Sequence, residues 1–130
     1  MSLNNPLANV LSFIQNYEQL GKKVVVTNNN SKLIREILTI MKNEGYIADF
    51  EEVPTSSGNE LKISLCGKIN KTNVIRPYYQ IKLPDYEKFE KRYLPAKDFG
   101  FIVISTNQGL MTHKEAKEKK LGGKLYAYCY

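Results

Sequence analysis

The apolar positions of this chain follow a helical period in some stretches and a strand period in others. Leu7, Val10, Leu11, Ile14 and Tyr17 recur at helical spacing behind Asn5-Pro6, and Asn9, Gln15, Asn16 and Gln19 lie mainly on other faces. Asn5 suits the cap, Pro6 the first helical position, and Gly21 ends the segment. The stripe reads as core packing. Lys22 to Thr27 is a basic step into a short strand, and Asn28-Asn29-Asn30 is a turn. Ser31 caps a second predicted helix, whose apolar face is Leu33, Ile34, Ile37, Leu38 and Met41, with Gly45 at its C-terminal turn. Tyr46 to Val53 and Leu61 to Cys66 are predicted strands joined by Pro54 to Asn59. In the second, Leu61, Ile63 and Leu65 alternate with Lys62 and Ser64, so one face is buried and the other wet. The order α-β-α-β-β lets two helices cover one face of a three-stranded sheet.

The character changes at Gly67 to Ile75. Lys68, Lys71 and Arg76 alternate with Ile69, Val74 and Pro77. This stretch reads as a connector running into a strand at Tyr78 to Lys82. Cations interleaved with tyrosines either contact phosphate and sugar or form an ordinary solvated strand, and the pattern leaves both open. Asp85 to Tyr93, bracketed by Pro84 and Pro95, is a short helix or a compact loop. Phe99 to Ile104 is apolar and β-branched, a strand buried on both faces. A polar turn follows, then a helix from His113 to Lys120, capped by Thr112 with Glu115 and broken at Gly122-Gly123. In the last strand Leu125, Ala127 and Cys129 should face inward, and Tyr126 and Tyr128 outward or toward a partner. The expected architecture is α+β. An N-terminal α-β-α-β-β lobe spans residues 1–67. A smaller β-rich lobe with a short helix spans residues 68–130.

Composition adds a bias toward one class of partner. The 130 residues are 42% apolar and 25% charged, an ordinary globular balance, with a formal net charge of +6. A small basic protein invites a polyanion. Lys32 and Arg35 stand in the first turn of the second helix, where the helix dipole disfavours cations. They are solvated surface charges, or a phosphate backbone offsets the repulsion. Cys66 and Cys129 read as reduced core thiols of an intracellular protein. With two cysteines, no Cys-x-x-Cys and a single histidine, no structural zinc site is expected. No apolar run approaches a membrane span, and the N-terminus lacks a signal-peptide pattern. A soluble protein is expected, with no cofactor and no membrane partner.

Catalysis has little to build on. His113 is the lone histidine and is expected to be exposed beside Lys114. The turn eight residues before it at Ser105 is not a nucleophile elbow, and no glycine-rich phosphate loop is present. What does gather chemistry is the turn itself. Ser105, Thr106, Asn107 and Gln108 supply hydroxyls and amides between a buried strand and a capped helix, a rigid place for an anionic or hydrogen-bonding partner.

The same residues carry a resemblance. Ser105-Thr106-Asn107-Gln108-Gly109-Leu110-Met111-Thr112-His113-Lys114-Glu115-Ala116, followed by Gly122-Gly123, is similar to the signature of ribosomal small-subunit protein eight. The likeness extends over nearly the whole chain, through Asn5 to Asn9, Ser31-Lys32-Leu33, Glu44 to Ile47, Asp49-Phe50, Gly67 to Lys71 and Arg76-Pro77. Lys91 to Gly100 and Leu121 to Leu125 resemble the archaeal and eukaryotic branch of that family. The resemblance implies a two-lobed, non-catalytic protein in the cytoplasmic small ribosomal subunit, beside neighbouring small-subunit ribosomal proteins. It implies direct and early binding to the central domain of small-subunit ribosomal RNA. The implied RNA-binding set is Ser105, Thr106, Asn107, Gln108, Gly109, Ser31, Lys32, Lys68, Lys71, Arg76, Gly123 and Lys124. The lysines and Arg76 supply the phosphate contacts. Asn107 and Lys124 stand where bacterial members commonly have serine and glutamate, so contacts made by that glutamate do not carry over. The rival readings are a small basic RNA-binding module outside the ribosome and a protein–protein adaptor built on the tyrosine-bearing last strand.

Overall fold

The structure, a computed structural model, describes residues 6–56, 58–75, 80–96 and 99–130. The expected cap at Asn5 and the strand residues Tyr78 and Tyr79 lie outside them. The chain divides into two compact units, Met1–Thr72 and Asn73–Tyr130.

In the first unit, helix α1 (Pro6–Gln19) buries Leu7, Val10, Leu11 and Ile14. Helix α2 (Lys32–Asn43) buries Ile34, Ile37, Leu38 and Met41. Each such side chain contributes about 1.5–3 kcal/mol on leaving water. Ser31 Oγ accepts the Ile34 N–H at 3.2 Å and fixes the start of α2. The sheet is β1 (Val24–Thr27), β2 (Ile47–Thr55) and β3 (Gly58–Leu65), antiparallel in the order β1-β3-β2. Its register pairs Val25 with Ile63 and Thr27 with Leu61, all four buried. Val24 and Val26 pair with Ser64 and Lys62 on the other face. β2 runs through Pro54, which the sequence had placed in the loop. Pro54 pairs with Asn59 on an edge strand, where its missing N–H removes no sheet bond. Cys66, expected in the core, is exposed just beyond β3.

The second unit is a sheet of β4 (Thr72–Val74), β8 (Gly123–Cys129), β6 (Phe101–Thr106) and β7 (Gly109–Thr112), in that order, with β5 (Gln80–Ile81) also paired to β8. β4 falls inside the expected connector. A 3-10 turn (Leu83–Asp85) leads into helix α3 (Tyr86–Tyr93), so the stretch between the prolines is helical. Helix α4 (His113–Glu118) is shorter than the sequence indicated. Ile75, Ile81, Tyr86, Phe89, Ile102, Ile104, Met111, Ala116 and Leu125 form one buried cluster between the sheet and these helices. Tyr86 Oη donates to the Leu121 carbonyl at 2.5 Å, joining α3 to the loop after α4. Burial raises the pKa of that phenol.

Leu125, Ala127 and Cys129 are all buried, but Leu125 shares a face with Ile104, whereas Ala127 and Cys129 pair with Val103 and Phe101 on the other face. Tyr128 does not face out: it is 8% exposed and belongs to the same apolar cluster. The register shift in the β6–β8 ladder between Val103 and Ile104 changes the phase of the alternation, which a two-residue period cannot anticipate. Phe99 lies outside the buried strand and is 47% exposed.

Candidate nucleic-acid interface

The polar turn opens a hairpin rather than a helix. β6 continues to Thr106, Asn107 and Gln108 make the tip, and Gly109 to Thr112 return as β7. This corrects the strand-turn-helix expectation. The capping threonine was legible, but the four-residue strand before it was not. Thr112 Oγ1 does accept the Glu115 N–H at 3.3 Å. The start of α4 therefore stands at the base of the hairpin, and its dipole does not reach the tip.

Thr106 is the residue that shapes the tip. Its Oγ1 accepts the Gln108 N–H at 3.1 Å and donates to the Gly109 carbonyl at 3.0 Å. Gly109 has φ of 108°, a conformation that side chains strongly disfavour. Asn107 and Gln108 are exposed, and Ser105 is half-buried. Among the described residues, the side chains of these three make no hydrogen bond. Their donors and acceptors are open, on a backbone that Thr106 and the β6–β7 ladder hold in place.

Register builds a row around Ser105. On β6 it pairs with Leu110 of β7 and with Lys124 of β8, and Lys124 pairs in turn with Gln80 of β5. Directly paired residues share a face of the sheet. The row Gln80, Lys124, Ser105, Leu110 thus sets an exposed amide and an exposed ammonium beside the hairpin. Gly122 and Gly123 make this approach possible. A Cβ on Gly122 would lie 2.6 Å from the Ile81 carbonyl oxygen. One on Gly123 would collide with the Ser105 carbonyl oxygen and lie 2.9 Å from Ile104 Cγ2. The glycine pair is needed for strand packing as well as for ending the helix. Ser105, Thr106, Asn107, Gln108, Gly109, Gly123 and Lys124 are therefore one neighbourhood. Gln80 and Leu110 join it without any signal in the sequence, since pairing of β5 with β8 is a long-range event.

The remaining candidates lie elsewhere. Ser31 is occupied as the cap of α2, and Lys32 follows it, exposed and without an ion pair among the described residues. Arg35 is not a solvated first-turn cation. Its guanidinium donates to Asn30 Oδ1 and lies 3.8 Å from Glu52 Oε1. Asn30 and Asn59 each donate to Glu52 Oε2, at 3.0 and 3.3 Å. Those bonds, Asn30 foremost, hold the Glu52 carboxyl below its ordinary pKa. Lys68 and Lys71 are exposed on the loop after β3. That loop is tied to α1, because Glu18 accepts the Gly67 and Ile69 N–H groups at 3.2 and 3.1 Å. Arg76 lies outside the described residues.

His113 overturns its expected exposure: it is 2% exposed at the start of α4. Its Nδ1 accepts the Ile102 N–H at 3.1 Å, and its Nε2 lies 3.2 Å from Glu90 Oε1. Lys117 Nζ meets the same oxygen at 2.6 Å. The imidazole is thus a structural bridge between β6, α3 and α4.

Residues 5–130 match the family model described as Ribosomal protein S8. That match covers all of the strands and helices above, including the hairpin and the paired glycines. The chain belongs to the ribosomal protein S8 family, non-catalytic proteins that bind ribosomal RNA in the small ribosomal subunit.

Proposed function

We propose that this protein binds the central domain of small-subunit ribosomal RNA directly through the β6–β7 hairpin, and that this supports early subunit assembly and translation. The observation that carries the reading is the set of open side chains on Ser105, Asn107 and Gln108, held by a closed turn beside Lys124. Duplex RNA hides its major-groove edges, so proteins read irregular helices, splayed bases and 2′-hydroxyls. A rigid Ser-Thr-Asn-Gln tip offers both donors and acceptors to such a base and its sugar. Lys124 supplies a cation next to Ser105. Ser31 and the exposed Lys32, Lys68 and Lys71, with Arg76, add contacts to phosphate that carry no sequence information. Residues 91–100 and 121–125 favour the archaeal and eukaryotic form of the family, in the cytoplasm, with other small-subunit proteins as neighbours. The lysine at position 124 argues against the contacts a bacterial glutamate would make there.

The test is binding of the purified protein to a central-domain ribosomal RNA fragment across a salt series, with a scrambled hairpin of equal length as control. Replacing Ser105→Ala together with Asn107→Ala should weaken fragment binding by about 1–3 kcal/mol per lost contact while folding stays intact. Affinity unchanged within error would remove the hairpin as the recognition site.

A further inference from the structure

The register of the hairpin points to a requirement that the RNA-binding reading leaves unexplained. Val103 pairs with Thr112, the last residue of β7. One step toward the base, Ile102 would pair with His113, but there the chain turns into α4. The Ile102 N–H is left without a strand partner on that side, and Ile102 is 1% exposed. A buried N–H without an acceptor is costly. The acceptor is His113 Nδ1, at 3.1 Å. The ladder therefore continues for one more bond through a side chain.

That bond specifies the ring. Nδ1 must present its lone pair to Ile102, so the proton of the neutral imidazole sits on Nε2, facing Glu90 Oε1 at 3.2 Å. The Ile102 N–H from β6 and the Glu90 carboxylate from α3 face the ring, and Lys117 from α4 lies on that carboxylate. Glu90 would accept a bond from either the neutral ring or imidazolium, and Lys117 already balances its charge. The Ile102 N–H cannot be served by imidazolium, which has no lone pair.

We propose that His113 is the positioning residue of the RNA-reading hairpin, and that it holds the base of β6 only as the neutral Nε2–H imidazole. It touches no RNA and acts through Ile102, three residues before Ser105 on the same strand. The inference rests on the hairpin being the recognition site, so its first readout needs no RNA. Long-range imidazole ¹⁵N spectra of the intact protein near neutral pH should show an unprotonated Nδ1 and a protonated Nε2. The Ile102 amide should be protected from exchange. An Nδ1–H tautomer, or a rapidly exchanging Ile102 amide, overturns the proposal whatever the RNA does.

The second readout is affinity for the central-domain fragment from about pH 7.5 to about pH 5.5, followed beside the ring ¹⁵N shifts that report the protonation of His113 at each pH. Two variants accompany the wild type. His113→Asn places a non-titrating carbonyl oxygen near the position of Nδ1, and His113→Leu supplies no acceptor. Wild-type affinity should fall with acid relative to His113→Asn, whose profile should be flatter. His113→Leu should lose about tenfold at neutral pH, the equivalent of one buried unpaired N–H. Parallel acid profiles for wild type and His113→Asn would overturn the proposal. So would His113→Leu binding within twofold of wild type. If instead the tautomer and amide protection are as stated but Ser105→Ala with Asn107→Ala leaves affinity unchanged, it is the recognition site that fails, and with it the positioning role.

Discussion

Two short polar segments of similar composition do different work in this protein. Asn28 to Ser31 lies between β1 and α2, and Ser105 to Gln108 lies at the end of β6. In the first, the side chains of Asn30 and Ser31 are turned inward on the chain. Ser31 caps α2, the Asn29 N–H is taken by Thr27 Oγ1, and Asn30 is clasped with Glu52, Arg35 and Asn59. In the second, only Thr106 is used to close the turn, and its three neighbours are left open. Residue type does not separate the two segments. What separates them is whether other elements bring partners within hydrogen-bond reach. A segment whose Asn30 and Ser31 side chains are held by other groups of the chain is an anchor. One whose backbone alone is satisfied is a surface prepared for something else.

The largest effect is expected at Gly123. Gly123→Ala drives a methyl into the Ser105 carbonyl and Ile104, and should destabilise the second unit by about 3 kcal/mol. Denaturant unfolding measures the loss, and hairpin binding to RNA should fall with it. A variant as stable as wild type would mean that β8 does not need the close approach described here.

The sharper pair of substitutions is Ser31→Ala against Ser105→Ala. Losing the cap should lower stability by about 1 kcal/mol, more than it lowers RNA affinity. Losing the open hydroxyl should leave stability within about 0.5 kcal/mol, as surface changes usually do, and act on affinity instead. Matched melting curves and RNA titrations of the two variants decide it. If both move the same quantity, the distinction between anchor and open surface is wrong.

The smallest effect is the acid response of the Asn30 clasp. Asn30 and Asn59 hold the Glu52 carboxyl below its ordinary value of 4.5. A carboxylate whose folded pKa is depressed adds stability that is complete above its unfolded pKa and lost as pH falls through the folded one. Glu52→Gln should therefore melt with less acid sensitivity than wild type between roughly pH 5 and pH 3, read as the change in Tm over that interval.

Much of this protein could be read from the chain alone because the reasons are local. The period of Leu7, Val10, Leu11 and Ile14, the oxygen of Ser31 one turn ahead of Ile34, and the capping Thr112 each act within a few residues. The composition of the hairpin tip is equally local, and so is its likeness to a ribosomal family. The features that local patterns do not reveal are decided at long range. Pro54 stays in a strand because β2 is an edge. Tyr128 turns inward because a register shift changes the alternation. Arg35 on α2 is paired with an acid on strand β2. His113 is buried because β7 stops one residue short of completing the ladder of β6.

The sequence by itself determined the long helices and most of the strands, though not β4 or β7, the chemistry displayed at the hairpin tip, and the family. Periodicity, caps and short motifs act over a few residues and need no partner. Only the tertiary structure decided which polar side chains are left open, that Lys124 stands between Ser105 and Gln80, and that a glycine pair must let those strands approach closely. Pairing between distant strands sets all three, and hydrogen-bond partners reach a side chain only after the strands have met.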